Sequence, residues 1–254
     1  MLVQNRRWEL HKFPFHYYYA RDVFFPIVYR EIEGAFSTIL ERGLSEKICE
    51  GRLSKSIPGY GAYSLSFTGE EQGPLALFHS KLWHDMLARL LHINATNDIV
   101  IELHHHPAGN PNGWVHSDLN PGWFIENHKS DGINVLNSAR CDYRTGKTIS
   151  PELIGRQTVR AAALLFYLGN QDWKCGAGGE TGLYRGRNQR VDSPNVAIKP
   201  LNNSLIAFEC TPYSFHSFLR NPTKPRNCLI MWLHRPHFEA VSRWSEHSFA
   251  HWPQ

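Results

Sequence analysis

Cysteine is scarce in this sequence and shows no pairing pattern. The cysteines are odd in number, widely separated and never in a CxxC arrangement: Cys49, Cys141, Cys175, Cys210 and Cys228. A disulfide framework or a thiolate zinc site needs paired or closely spaced cysteines, so neither is expected. Scattered single cysteines are typical of a reducing compartment, and we expect a cytoplasmic protein.

The sequence also lacks long apolar runs and clusters of like charge. No apolar stretch approaches the roughly 18 to 20 residues that span a bilayer. No apolar signal-peptide core follows the polar segment from Met1 to Trp8. The net charge is only +4, without a long basic run. We therefore expect neither a membrane nor a nucleic acid as a partner.

Helical patterns dominate the first part of the chain. Apolar residues recur at helical spacing from Ile27 to Arg42, and Gly43 follows where a helix would end. A second helical pattern runs from Pro74 to Leu91. We expect two helices here, with a short strand between them in the alternating segment from Ala62 to Phe67.

Short strand patterns replace the helices from Ile99 onward. They cover Ile99 to His104, Gly178 to Tyr184, Asn195 to Lys199, Ser204 to Glu209 and Cys228 to Leu233. The segment from Arg160 to Leu168 favours a helix by propensity, but its position between turn signals predicts a buried strand. Helices followed by six or more strands indicate an α+β fold, for which a jelly-roll core is the natural candidate.

The chain shows no repeat, linker or low-complexity tract, and 42% of its 254 residues are hydrophobic. This composition predicts a single domain over residues 1–254. Within it, residues 1–98 are expected to give mostly helical support. Residues 99–236 should form the jelly-roll core, and residues 237–254 a C-terminal tail.

The segment from Trp114 to Asn120 is the most informative one. His116 and Asp118 stand two residues apart, and on a strand such residues point to the same face. One imidazole and one carboxylate would then project side by side from a strand end. A second histidine from a distant strand would complete the facial triad that leaves open coordination positions on non-heme Fe(II).

The best candidate for that second histidine is His216, which follows the predicted strand from Ser204 to Glu209. Ten residues later, Arg226 stands just before the next apolar strand, where its guanidinium could hold a carboxylate through two parallel hydrogen bonds. Arg220 is a rival anchor. It lies in the turn that ends at Pro222, so Arg226 is preferred.

This order of HxD, a long gap, a histidine and an arginine about ten residues later resembles the Fe(II)/2-oxoglutarate-dependent dioxygenases. Within that superfamily it is similar to the prolyl-4-hydroxylase-like branch. The segments from Leu164 to Asn170 and from Gly178 to Tyr184 resemble the strand and the glycine-pair strand of that branch. The resemblance covers roughly residues 99–236.

The resemblance implies a double-stranded β-helix buttressed by N-terminal helices. It implies that His116, Asp118 and His216 bind Fe(II) and that Arg226 binds 2-oxoglutarate, with dioxygen as the third reactant. Asp118 favours hydroxylation or a related oxidation over halogenation, and no catalytic residue is expected beyond the metal ligands. We expect oxidation of a small organic molecule; a protein side chain as substrate, a zinc or cupin-like metalloprotein and a non-catalytic ligand-binding β-helix remain alternatives.

Several further residues are weaker candidates for the site. Tyr167 is a candidate for binding 2-oxoglutarate, although a core position is the more common role of such an aromatic residue. Arg160 is interpreted as a surface salt-bridge residue. Candidates for contacting the substrate or supporting the metal ligands are Trp114, Asn120, Trp123, His104, His106 and Glu180.

Overall fold

The computed structural model describes residues 3–55, 61–126, 132–170, 173–250 and 252. In this part of the chain the strands are β1 (Glu9–His11), β2 (Tyr17–Ala20), β3 (Tyr63–Ser66), β4 (Asp98–His106), β5 (Pro121–Ile125), β6 (Asn134–Val135), β7 (Gly155–Tyr167), β8 (Thr181–Tyr184), β9 (Val196–Ile198), β10 (Ser204–Glu209), β11 (Phe215–Phe218) and β12 (Arg226–Pro236). The α-helices are α1 (Pro26–Glu41), α2 (Lys81–Leu90) and α3 (His237–Trp244), and 3-10 helices cover Gly73–His79 and Glu246–Ser248. The fold is therefore a mixture of helices and sheets, as the sequence predicts.

Both helical patterns of the first hundred residues form helices, but the second pattern is divided. α1 starts at Pro26 and ends before Gly43, whose φ of 79° suits the position after a helix. The second pattern begins as the 3-10 helix and continues as α2. Between them, the Ser80 hydroxyl accepts a hydrogen bond from the Trp83 amide at 3.3 Å and donates one to the Leu77 carbonyl at 2.7 Å. Ser80 thus ends one helix and caps the next.

The large sheet has nine strands, and β7 lies near its middle. The order along its path is β1-β2-β10-β7-β12-β4-β3, while β5 pairs with β7 and β6 with β4. β7 pairs antiparallel with both β10 and β12 and is buried from Thr158 onward. The predicted buried strand over Arg160 to Leu168 is confirmed, because pairing on both sides outweighs the helical propensity of its alanines.

The first 98 residues contribute strands as well as helices. β1 and β2 extend one edge of the large sheet, and β3 forms the opposite end of its path. The N-terminal part thus lengthens the sheet in addition to covering it.

The two faces of the large sheet belong to different cores. The helix-side cluster includes Ile99, Ile101 and Leu103 of β4 with Ile32 and Phe36 of α1. The opposite cluster includes Val100 of β4, Leu165 of β7, Trp232 of β12 and Leu183 of β8. β8 belongs to a small sheet of order β11-β8-β9. Because successive strand residues point to opposite sides, helices cover one face and the small sheet packs on the other, which we call the inner face.

No described helix is long and apolar enough to cross a membrane. All five cysteines are free thiols, and Cys141, Cys210 and Cys228 are buried.

Asn203 joins the N-terminal segment to the large sheet. Its side-chain oxygen accepts a hydrogen bond from the Phe24 amide at 2.9 Å, and its side-chain nitrogen donates to the Phe24 carbonyl at 2.8 Å. Asn203 has a φ of 56°, a left-handed conformation that asparagine tolerates better than most residues. Both residues are buried.

We expect Asn203→Ala to destabilise the fold by about 2 to 4 kcal/mol, because the polar groups of Phe24 lose their partners and alanine is strained at this φ. Asn203→Gly removes the same hydrogen bonds without the strain, so its loss should be smaller by about 1 kcal/mol. Urea unfolding of both variants measures the difference. An alanine variant as stable as the wild type would contradict this role.

Candidate metal centre

His116, Asp118 and His216 come together on the inner side of the large sheet. Their candidate ligand atoms all lie within 4.8 Å of one another. His116 Nε2 is 3.7 Å from Asp118 Oδ1, and His216 Nε2 is 3.4 Å from Asp118 Oδ2. Within the described part of the chain, no other group of three histidine, cysteine or acidic side chains has this geometry. We call these three residues the triad.

The backbone brings the two histidines together through a single bridge. The His116 amide donates to the His216 carbonyl at 3.0 Å, and the His216 amide donates to the His116 carbonyl at 2.8 Å. The predicted strand around His116 is wrong in one respect, since residues 111–120 form no regular strand beyond this bridge. The turn in which the Asn120 amide donates to the Asp118 carbonyl at 2.8 Å interrupts the extended backbone.

Both imidazoles are oriented so that Nε2 faces the carboxylate. His116 Nδ1 lies 2.8 Å from the Trp114 carbonyl, and His216 Nδ1 lies 3.2 Å from the Ser214 carbonyl. A carbonyl oxygen only accepts hydrogen bonds, so Nδ1 carries the proton and the Nε2 lone pair is available to a cation.

The charge state of the triad also suits a cation. Burial, reinforced by the neighbouring His216, lowers the pKa of His116 to about 4. Burial opposes ionisation of Asp118, but His216, Arg160 and His116 together lower its pKa well below the usual range. At neutral pH His116 is therefore a neutral donor and Asp118 a carboxylate. Two imidazole nitrogens and one carboxylate are a donor set that fits Fe(II).

Arg160 and Trp232 hold the Asp118 carboxylate from the side of the large sheet. Arg160 Nη1 donates to Asp118 Oδ1 at 3.2 Å, and Trp232 Nε1 donates to Asp118 Oδ2 at 2.7 Å. The guanidinium of Arg160 stacks on the Trp232 ring at 3.9 Å. The surface role expected for Arg160 is wrong: only 7% of the residue is exposed, because β7 lies in the middle of the sheet.

The hydrogen bonds continue from Arg160 into the interior. Arg160 Nε donates to the Tyr143 hydroxyl at 3.2 Å, and this hydroxyl lies 2.6 Å from His234 Nε2. Sequence reasoning missed Trp232, Tyr143 and His234. Trp232 had a usable signal, because it follows Arg226 by six residues and so shares its strand face.

Arg226 lies at the start of β12 and is buried beside β8. Its Nη2 donates to Thr181 Oγ1 at 3.1 Å, and its guanidinium lies 5.2 Å from the centre of the Tyr167 ring and 5.5 Å from that of Phe218. The Tyr167 hydroxyl shares a 2.7 Å hydrogen bond with Thr181. By contrast, Arg220 is exposed.

The register of the small sheet relates Arg226 to the triad. His216 pairs with Leu183, and two residues further along β11 Phe218 pairs with Thr181. Two strand residues span about 7 Å and point to the same side. Thr181 and Phe218, which contact Arg226, therefore lie about one pleat repeat from His216 of the triad. This spacing fits a short dicarboxylate between the arginine and a metal.

Some of the weaker candidates lie near these residues. The His106 ring stacks on Phe218 with ring centres 3.9 Å apart, and the His104 ring lies 6.3 Å from that of His106. Trp114 is largely exposed, with its ring 5.8 Å from that of His116.

Other candidates make their contacts elsewhere. Asn120 Nδ2 donates to the Ala250 carbonyl at 2.9 Å and so holds the C-terminal segment. Trp123 packs over Gly146 and Gly155. Glu180 contributes its backbone carbonyl, which accepts from the Leu219 amide at 2.9 Å. These contacts do not involve the triad.

Comparison with known proteins agrees with this geometry. Residues 141–234 match the family model described as the 2OG-Fe(II) oxygenase superfamily. The matched segment contains His216 and Arg226, while His116 and Asp118 precede it. No curated protein matches the sequence. The family match favours an oxygenase over the zinc or cupin-like alternative.

Solved structures share the fold at low sequence identity. A Pseudomonas putida prolyl-4-hydroxylase is 15% identical, with a TM-score of 0.56 over 86% of this chain and 92% of that one. A Trichoplax adhaerens prolyl hydroxylase in complex with a hypoxia-inducible-factor peptide is 15% identical, with a TM-score of 0.55 over 89% and 86%. A non-heme alpha-ketoglutarate-dependent carbocyclase from nogalamycin biosynthesis is 12% identical, with a TM-score of 0.51 over 93% and 89%.

The family match, the shared fold and the His-Asp-His cluster agree with the resemblance seen in the sequence. Residues 141–234 thus match the 2-oxoglutarate- and Fe(II)-dependent oxygenase superfamily, and the chain shares its fold with two prolyl hydroxylases.

Proposed function

We propose that this oxygenase hydroxylates or otherwise oxidises a small organic molecule, such as an amino acid or a natural-product intermediate, with succinate and CO2 as co-products. One observation carries the proposal: Thr181 and Phe218, which contact the buried Arg226, lie about one pleat repeat along the small sheet from His216 of the triad. In this proposal residues 1–254 form one cytoplasmic oxygenase domain. Its two sheets are the halves of a double-stranded β-helix.

His116, Asp118 and His216 would hold the iron. Bound Fe(II), 2-oxoglutarate and dioxygen together supply an oxidant that can remove hydrogen from an unactivated C–H bond. The chain contributes the arrangement of the ligands: Arg160 and Trp232 each donate to one oxygen of Asp118, so the carboxylate keeps its orientation. Two neutral imidazoles and one carboxylate leave a divalent ion with net positive charge, which favours an anionic keto acid.

Arg226 would bind the distal carboxylate of 2-oxoglutarate. Its planar guanidinium can form two parallel hydrogen bonds with a carboxylate, and the Thr181 hydroxyl beside it can contribute another. The Tyr167 and Phe218 rings flank the guanidinium and exclude water. A charge-assisted hydrogen bond is stronger in such a dry environment.

The fold alone does not distinguish a small molecule from a peptide, since both a carbocyclase and a peptide-bound prolyl hydroxylase share it. We favour a small molecule because of the polar side chains next to Trp232 on the inner face. Glu102 and His104 form a compact, partly accessible pair there. Such a pair suits a small ligand with a matching polar group.

We expect Asp118→Ala to bind Fe(II) at least about 100-fold more weakly, because a charged ligand is removed and Arg160 loses its anionic partner. Metal titration followed by elemental analysis measures this loss. Asp192→Asn, which changes an exposed carboxylate, is the matched control and should bind one iron as the wild type does. Full iron occupancy in Asp118→Ala would refute the ligand assignment.

We expect Arg226→Gln to raise the KM for 2-oxoglutarate about 100-fold, since a charge-assisted bidentate contact contributes about 3 kcal/mol. Succinate release at varied 2-oxoglutarate concentrations measures the KM. The exposed Arg220→Gln serves as control and should behave as the wild type. If Arg220→Gln raised the KM and Arg226→Gln did not, the anchor would be misassigned.

The substrate class is tested by succinate formation with the Fe(II)-loaded enzyme. We expect a panel of free amino acids and small natural products to contain compounds that raise succinate release above the substrate-free rate. Proline-, lysine- and arginine-containing peptides form the comparison panel. Stimulation by peptides alone would overturn the small-molecule proposal while leaving the oxygenase chemistry intact.

A further inference from the structure

A carboxylate lies on the inner face of the large sheet without a role in holding the triad. Glu102 belongs to β4, whose inner-face residues are Val100, Glu102, His104 and His106 by strand alternation. β4 pairs with β12 on one side and with β3 on the other. Glu102 is thus a charged residue inside a sheet, on the face opposite the helices. A charge in such a position needs polar partners or a function.

The register places Glu102 between the two halves of the site. Glu102 lies opposite Ile230, which is two residues from Trp232, the indole that donates to Asp118. His104 lies opposite Cys228, whose sulfur is 2.8 Å from Arg226 Nη1. His104 therefore stands in the same row of the sheet as Cys228, which contacts the guanidinium, and Glu102 stands one row from Trp232, which contacts the triad carboxylate.

Glu102 is accessible from this side. Its side chain is 23% exposed, and Ile230 opposite it is also partly exposed. The other face of β4 packs into the helix-side core through Ile101 and Leu103. The exposed part of the carboxylate consequently lies on the inner side of the sheet.

The contacts of Glu102 leave room for further hydrogen-bond donors. Its Oε2 lies 2.9 Å from His104 Nε2, and its Oε1 accepts from the Ser66 hydroxyl at 3.1 Å. Each carboxylate oxygen can accept about two hydrogen bonds, so each has capacity for one more. Burial opposes ionisation of Glu102, but His104 and Arg160 lower its pKa overall, and the group is an anion at neutral pH.

His104 stands beside Glu102 on the same face, with its Nε2 2.9 Å from Glu102 Oε2. The other ring nitrogen, Nδ1, is buried and has no hydrogen-bond partner among the described residues. An anionic oxygen pair with open hydrogen-bond positions matches a ligand that brings several N–H donors and a positive charge.

We propose that Glu102 and His104 form a subsite for a protonated amine or guanidinium of the substrate. This inference rests on the proposed function and specifies its substrate class: a cationic small molecule whose charged nitrogen is held beside Trp232. The C–H bonds of this substrate then extend toward the triad. Neutral and anionic analogues lack the matching charge and bind poorly.

The test uses the full chain reconstituted with Co(II) and 2-oxoglutarate under nitrogen, with L-arginine, L-lysine and putrescine as probes. Binding of a probe next to the metal is expected to change the visible Co(II) absorption, which acetamide, a neutral probe, leaves unchanged. If none of the three amines changes the spectrum, the subsite proposal is overturned. Addition of 2-oxoglutarate to the Co(II) protein is itself expected to change the spectrum. If it does not, the proposed function is contradicted, whatever the amines do.

Glu102→Gln is expected to weaken binding of the responding amine about 30- to 100-fold relative to its N-acetylated counterpart. This ratio is internal to one protein, so partial misfolding does not alter it. Glu102→Asp keeps the charge and should recover part of the preference. Glu31→Gln, an exposed change on α1, is the control. An unchanged ratio in Glu102→Gln would overturn the proposal.

Discussion

The candidate metal centre depends on a buried carboxylate that is held from two strands. Asp118 is 5% exposed, and a charge at such a depth is stable only with close partners. Arg160 of β7 and Trp232 of β12 supply them, each through one oxygen. Both strands lie in the middle of the large sheet. The orientation of the Asp118 carboxylate is therefore fixed by two strands in the middle of the large sheet.

The C-terminal segment takes part in the same support. Trp252 lies over the Arg160 guanidinium at 4.9 Å, on a residue that also stacks on Trp232. The Ala250 amide donates to the Leu119 carbonyl at 2.9 Å, and Asn120 returns a hydrogen bond to Ala250. These contacts fasten the last residues of the chain to the segment immediately after Asp118. The sequence predicts a C-terminal tail over residues 237–254. In the structure, Ala250 and Trp252 of this segment pack against the residues that surround Asp118.

The inner face of the large sheet combines three kinds of chemistry in adjacent rows. Trp232 supports the triad, Arg226 provides a fixed positive charge, and Glu102 provides a negative one on the neighbouring strand. The rigid spacing of a sheet keeps these groups apart by whole pleat repeats of about 7 Å. In the proposed site, Arg226 would bind the keto acid and Glu102 the cationic substrate. Their separation keeps the two charges from forming an ion pair with each other.

Local patterns in the sequence were sufficient to predict the helices and the central strand β7, and to single out His116, Asp118 and His216, which the structure brings together. These features depend on residue type, spacing of a few positions and the order of motifs. The tertiary structure alone decided that His116 and His216, 100 residues apart, share one backbone bridge. It also decided that Arg160 is buried against Asp118 and that Glu102 lies one row from Trp232 on the inner face. Such contacts follow from strand order and register, which are set by long-range pairing and are not encoded in any short segment.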